Sequence, residues 1–94
     1  MFIAKVIGDV VSTKKDEKLI GYKLLIIQKL NVDGQCVDYP VVAVDMVGAG
    51  IGETVLVITG SSARYSAGED NAPIDASIVG IIDYIEIDNA ATNT

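Results

Sequence analysis

Apolar and polar residues alternate with a period of two through the first stretch of the chain. In residues 2–11, Phe2, Ala4, Val6, Gly8 and Val10 fall on one face, and Ile3, Lys5, Ile7, Asp9 and Val11 on the other. Alternation with charge confined to one side predicts a half-buried strand. Residues 22–30 predict a second strand of different character. Leu24, Ile26 and Leu30 share one face, while Leu25 and Ile27 stand between Lys23 and Lys29 on the other. Apolar side chains on both faces predict burial on both. Asn31-Val32-Asp33-Gly34 then supplies turn chemistry, with Gly34 free to take a positive φ. A third strand is expected over about residues 35–44, where Pro40 marks an edge or a bulge because it has no N–H to donate.

The second half begins with a glycine-rich connection, Asp45-Met46-Val47-Gly48-Ala49-Gly50-Ile51-Gly52-Glu53, followed by a compact strand over residues 54–59. A serine at 61 or 62 is expected to cap a short helix reaching about Ala67. The last strand is expected over residues 78–87. Ile78, Ile82 and Tyr84 lie on one of its faces, with Val79, Ile81, Ile85 and Ile87 on the other. Residues 14–18 and 68–73 read as polar loops, and residues 88–94 as a polar tail that frays. These elements make one all-β domain over residues 1–87. Closing five such strands into a small barrel removes the unpaired edges of an open sheet; an open sandwich is the alternative. So small a barrel is filled by its own side chains, and no deep ligand cavity is expected.

Composition adds a tension. The chain has 94 residues, of which half are hydrophobic and 21% charged, with mean hydropathy +0.42. A body this small has proportionally more surface to cover, so high apolar content argues that part of that surface faces other copies of the chain. Self-association is the first inference. Charge then narrows the partners, since seven Lys and Arg against thirteen Asp and Glu leave −6. Phosphate backbones and anionic membranes are bound through Lys and Arg, so neither nucleic acid nor a membrane is an expected partner. No apolar run approaches the roughly 18 residues of a membrane span. The amino terminus lacks the apolar core and cleavage site of a signal peptide. Cys36 is alone, which fits a cytoplasmic setting and a small strand residue.

The sequence contains no histidine. That removes Ser-His-Asp and Cys-His nucleophile activation and any His-containing zinc site. The glycines at 48, 50 and 52 invite comparison with a dinucleotide loop, but Glu53 stands where a third glycine belongs and a strand follows where a helix is needed. A tight strand-to-strand connection is the better reading. Its small residues also let neighbouring backbones approach closely. Gly60-Ser61-Ser62-Ala63-Arg64 has a serine without a base, and reads as a helix cap plus an arginine that pairs a carboxylate. Asp45, Glu53, Asp75 and Asp83 lack the dense spacing of a calcium loop. No catalytic residue, cofactor or metal is expected, and the chain is not read as an enzyme.

In this order the segments resemble the small vertex-capping shell proteins of bacterial microcompartments, of the ethanolamine-utilisation and carboxysome type. The resemblance runs from Met1 to about Ile87. It begins with Ala4-Lys5-Val6-Ile7-Gly8-Asp9-Val10, then Thr13, Lys15, Leu19, Gly21 and Lys23-Leu24-Leu25. Its most specific part is the stretch from Asp45 to Glu53 joined to Val55-Leu56-Val57 and Gly60-Ser61-Ser62-Ala63-Arg64. Pro73-Ile74-Asp75 and Ile78-Val79-Gly80-Ile81-Ile82-Asp83 complete it. Met46 departs from the family, where small residues are common.

The resemblance implies a five-stranded barrel like the oligonucleotide/oligosaccharide-binding fold, assembled into a cyclic pentamer. It implies a structural role as well: five copies cap the vertices of a polyhedral shell otherwise tiled by hexameric shell proteins. A flat hexagonal lattice has no curvature, and five-fold units are what close it. A ring needs a heterologous interface whose rotation closes, which gives the two-faced apolar strands a purpose. By matching position, Gly48, Gly50, Gly52 and Glu53, with Gly60, Ser61, Ser62 and Arg64, are candidates for subunit contact or the axial region of the ring. The alternative function is a barrel module binding single-stranded nucleic acid. It needs a basic groove with stacking aromatics, whereas the five aromatics here are explained by packing and the basic residues are scattered.

Overall fold

The computed structural model describes residues 1–13, 15–67, 74–88 and 91, without the side chains of Arg64 and Tyr65. The strands are β1 (Phe2–Val10), β2 (Lys23–Leu30), β3 (Val41–Asp45), β4 (Thr54–Thr59) and β5 (Ala76–Ile82). A short helix, α1 (Ser61–Ser66), links β4 to β5, and a 3-10 turn at Glu17–Leu19 precedes β2. The strands close into a barrel in the order β1-β2-β3-β5-β4, so the expected closed barrel forms and the open sandwich does not. Four of the five strand junctions are antiparallel. The fifth, β3 beside β5, is parallel and joins only Val44 to Ser77 and Asp45 to Ile78.

Two bulges change which residues face inward. In β1, Val6 stands opposite Ile27 and Gly8 opposite Ile26, so Ile7 is an extra residue. The alternation flips there. Gly8 and Val10 join Ile26 and Leu24 on the outside, not Ala4 and Val6 inside as an unbroken period of two predicts. A Cβ on Gly8 would lie 3.3 Å from Ile26 Cδ1, which shows the two residues on one face. In β5, Val79 is the extra residue between the pairs Gly80–Leu56 and Ile78–Val57.

Several expected boundaries move, each for a local reason. β2 starts at Lys23 because the Tyr22 N–H donates to the Leu19 carbonyl, closing a turn through Gly21 at φ +93°. β3 starts only after Pro40, at Val41. Residues 35–40 make a single bridge, Cys36 to Leu30, and are held to β2 by the Val37 N–H, which donates to the Lys29 carbonyl, and by Gln28, whose Nε2 donates to the carbonyls of Val37 and Asp38. Ser61 is already helical and Gly60, at φ +70°, precedes it, so neither serine is the cap. β5 ends at Ile82 and not at Ile87. Lys14 and the polar loop at 68–73 lie outside the described residues, as does the 88–94 tail apart from Asp88 and Ala91.

Among the described residues, two apolar clusters hold the molecule. Inside the barrel, Ala4, Val6, Leu25, Ile27, Ala43, Val55, Val57 and Ile78 are buried against one another, with Phe2 packed at one end. Outside it, Val44, Ala63 and Ile74 form a second cluster with Leu19, Tyr22, Leu24 and Ile58. This is the burial on both faces that β2 predicts: Leu25 turns into the barrel, and Leu24 packs under α1.

Candidate subunit interface

The glycine-rich connection between β3 and β4 is shaped by hydrogen bonds that its own residues make. Asp45 Oδ1 accepts the Val47 N–H at 3.1 Å and starts the turn. Farther on, the Glu53 N–H donates to the Gly50 carbonyl at 3.1 Å, closing a turn with Gly52 at φ +94° in its third position. A positive φ at that place is the requirement of a type II turn, and it favours glycine. The loop is then fastened to the barrel. Gly52 N–H donates to the Val6 carbonyl and Val6 N–H to the Glu53 carbonyl, extending the β1–β4 ladder by a step. Lys23 Nζ donates to the Ala49 carbonyl at 3.0 Å, and Ala49 is fully buried. What remains outward is a ridge containing Met46, Val47, Gly48 and Ile51, with Ile51 62% exposed.

The other candidates sit on α1. Gly60 N–H donates to the Asp75 carbonyl at 3.0 Å, so the turn into the helix is tied to the strand that follows it. Ser61 and Ser62 are exposed on the first turn. The Arg64 backbone belongs to α1, and its side chain lies outside the described residues. Ser66 Oγ lies 2.8 Å from Ser77 Oγ, and Tyr22 OH donates to the Ala67 carbonyl at 2.8 Å. These bonds clamp the helix to β5 and to the start of β2.

The eight candidates therefore do not form one region. Gly48, Gly50, Gly52 and Glu53 lie before Thr54, and Gly60, Ser61, Ser62 and Arg64 after Thr59, at opposite ends of β4. Six strand residues at about 3.3 Å each separate the groups by roughly 20 Å.

Between these ends the outer wall of the barrel carries a row of apolar residues, with Lys5 and Thr54 in the row beside it. Ile3 pairs with Leu30 on one side and Leu56 on the other, and all three turn outward. Ile26 and Ile82 add to the same wall, and all are only half-buried. An isolated barrel ordinarily carries polar residues at such positions. These residues are absent from the eight candidates, although apolar residues on both faces of the strands were the signal for them.

At the α1 end the barrel mouth opens into a groove of about 510 Å³, lined by Phe2, Lys29, Asp38, Tyr39, Val41, Val42, Thr59, Gly60, Asp75 and Ala76. Lys29 is the one cation among the described residues lining it. Its Nζ lies 3.8 Å from Asp38 and 5.2 Å from the centre of the Phe2 ring. Among the described residues there is no group of three or more side chains placed to hold a metal ion, and Asp45 and Glu53 are committed to backbone N–H groups of their own loop. No helix among the described residues is long and apolar enough to cross a membrane.

A family model described as ethanolamine utilisation protein EutN/carboxysome matches residues 1–83. The chain is 52% identical over 93 residues to the bacterial microcompartment shell vertex protein GrpN of Rhodospirillum rubrum, covering 95% of this chain and all of that one. It is 49% identical over 87 residues to the carboxysome shell vertex protein CcmL of a Synechocystis species, covering 93% and 87%. Among solved structures, the GrpN pentameric microcompartment shell protein from Rhodospirillum rubrum superposes with a TM-score of 0.84 at 48% identity, covering 93% and 99%.

Proposed function

Because the chain belongs to the EutN/carboxysome family, we propose that it is a structural shell protein whose five copies form a ring at the vertices of a polyhedral bacterial microcompartment. The observation that carries this reading is the nearly complete two-way overlap with a pentameric shell protein of the same barrel. The outer wall supplies the physical reason. Ile3, Ile26, Leu30, Leu56 and Ile82 stand half-buried on a single subunit, and a heterologous contact repeated around a ring buries such a wall without leaving a free edge.

The two candidate groups then take separate places. Being roughly 20 Å apart along β4, they face different neighbours in the ring. We assign the 48–53 ridge to the contact with one neighbour and the 60–64 turn to the contact with the other. Flat hexameric shell proteins are the proposed partners of the ring, since a five-fold unit is what a six-fold lattice lacks at its corners. The ring works by shape and by contact, without chemistry of its own, in the cytoplasm where such a shell assembles.

A nucleic-acid-binding barrel would need a basic groove. The groove at the mouth instead holds Lys29 against Asp38, with Asp75 beside them, and each subunit adds a net −6. The experiment is native mass followed by assembly. A ring runs at five times 9.9 kDa. Added to hexameric shell proteins, it converts open sheets or tubes into closed polyhedra. A chain that runs at 9.9 kDa and binds oligonucleotide tightly at physiological salt overturns the reading.

A further inference from the structure

The barrel is closed more weakly at one seam than at the others. β3 and β5 pair only from Val44 and Ser77 onward, so the edge of residues 41–43 turned away from β2 has no ladder partner among the described residues. Val41 and Val42 on this edge are 36% and 47% exposed, and they line the groove at the barrel mouth. An edge without a ladder partner, with apolar side chains beside a groove of mixed apolar and charged lining, is a template for an added strand.

The same chain carries a segment of matching form. Beyond Ile82, residues 84–87 read Tyr-Ile-Glu-Ile, with Ile85 and Ile87 at alternate positions. Tyr84, Ile85 and Ile87 are 77%, 42% and 43% exposed. Among the described residues no hydrogen bond ties residues 84–87 to the barrel.

We infer that residues 84–87 of one subunit lie as an added strand along the open β3 edge of the next subunit in the ring. The placement of the two features carries this. Ile82 pairs with Thr54, so the segment leaves at the 54 end of β4, while the groove opens at the Thr59 end. One subunit presents the strand at one end and the socket at the other. Two different, complementary patches on each copy are what a heterologous, ring-closing contact requires. The dimensions agree, because three edge residues and the span from Ile85 to Ile87 are each about 10 Å at strand rise. The inference rests on the ring proposed above.

Cross-linking tests it in the full chain. In a Cys36→Ser background, Val42→Cys with Ile85→Cys places one thiol on the socket and one on the strand of every subunit. Facing strand residues meet the Cα separation a disulfide needs. On oxidation the double variant is expected to give a denaturing-gel ladder up to five chains, whereas either single variant joins at most two. A Cys36→Ser chain at fivefold native mass whose double variant gives no ladder beyond two overturns the strand contact and leaves the ring standing. A parent chain at 9.9 kDa overturns both. Ending the chain after Asp83 supplies a second readout: fivefold mass is expected to be lost while the strand circular-dichroism signal stays, and a retained fivefold mass overturns the contact.

Discussion

Glu53 and Gly50 hold each other twice. The Glu53 carboxylate accepts the Gly50 N–H at 2.7 Å, and the Glu53 N–H donates to the Gly50 carbonyl at 3.1 Å. The side chain thereby occupies a donor in a turn that has no ladder of its own. Glu53→Ala leaves that half-buried N–H without its partner and is expected to cost about 1–3 kcal/mol. Glu53→Gln keeps an acceptor oxygen and should recover most of the loss. Denaturant unfolding at a fixed protomer concentration checks both, since mass action would otherwise blur the comparison.

Gly52 separates backbone conformation from space. A Cβ there meets nothing within 4 Å, yet φ is +94°. Gly52→Ala is therefore expected to lose about 1–2 kcal/mol through the left-handed backbone alone. Gly80 has the opposite character: its φ is ordinary for an L residue, and a Cβ would rest 3.6 Å from Leu56 Cβ. Gly80→Ala should leave the unfolding midpoint nearly unchanged. Equal losses in the two variants would refute the conformational account of Gly52.

The strands were legible because their period of two survives in the sequence, and Thr54–Thr59 has the bounds the pattern predicts. The bulge at Ile7 was not legible. An inserted residue flips the faces without changing any residue type, so Gly8 and Val10 read as inward until the pairing with Ile26 and Leu24 is known. The late start of β3 had a partial signal in Pro40, but one anchor is Gln28, whose side chain reaches across to Val37 and Asp38. No local pattern announces such a contact. The strand read over residues 54–59 already separates the candidates into two groups, and the structure places them at its opposite ends. What the sequence does not show is that Ser61 is helical, because Gly60 takes the turn that a capping serine is expected to make.

Tyr22 joins elements 45 residues apart by donating to the Ala67 carbonyl at 2.8 Å. Tyr22→Phe keeps the ring in the outer cluster and deletes only the hydroxyl. A loss of about 0.5–1.5 kcal/mol is expected. Amide exchange should quicken at the end of α1 before it does in β1 or β4, because opening is local to the element that loses its tie. Uniform quickening across all strands would mean that the hydroxyl supports the whole barrel instead.

Arg64 lies on the helix at the groove end of the barrel. An arginine that pairs a carboxylate across a subunit boundary is geometrically demanding, and lysine does not substitute for it. Arg64→Ala is expected to dissociate the ring at lower denaturant than Lys14→Ala does. Coincident dissociation profiles would remove Arg64 from the contact.

Leu25 and Leu56 are of one residue type on opposite sides of the same wall. Leu25 is fully buried inside the barrel, whereas Leu56 faces outward beside Ile3 and is only half-buried. Leu25→Ala opens a cavity in a packed interior and should lower subunit stability by about 2–5 kcal/mol. Leu56→Asp changes no interior packing. In a lone barrel it would be nearly neutral, because the carboxylate reaches water. In a ring whose subunits meet on this wall it buries a charge without a partner, which is strongly unfavourable. The expected result is a folded chain, with the strand signal of the parent in circular dichroism, whose native mass falls from five copies towards one. Retention of fivefold mass by Leu56→Asp would place the subunit boundary elsewhere on the barrel.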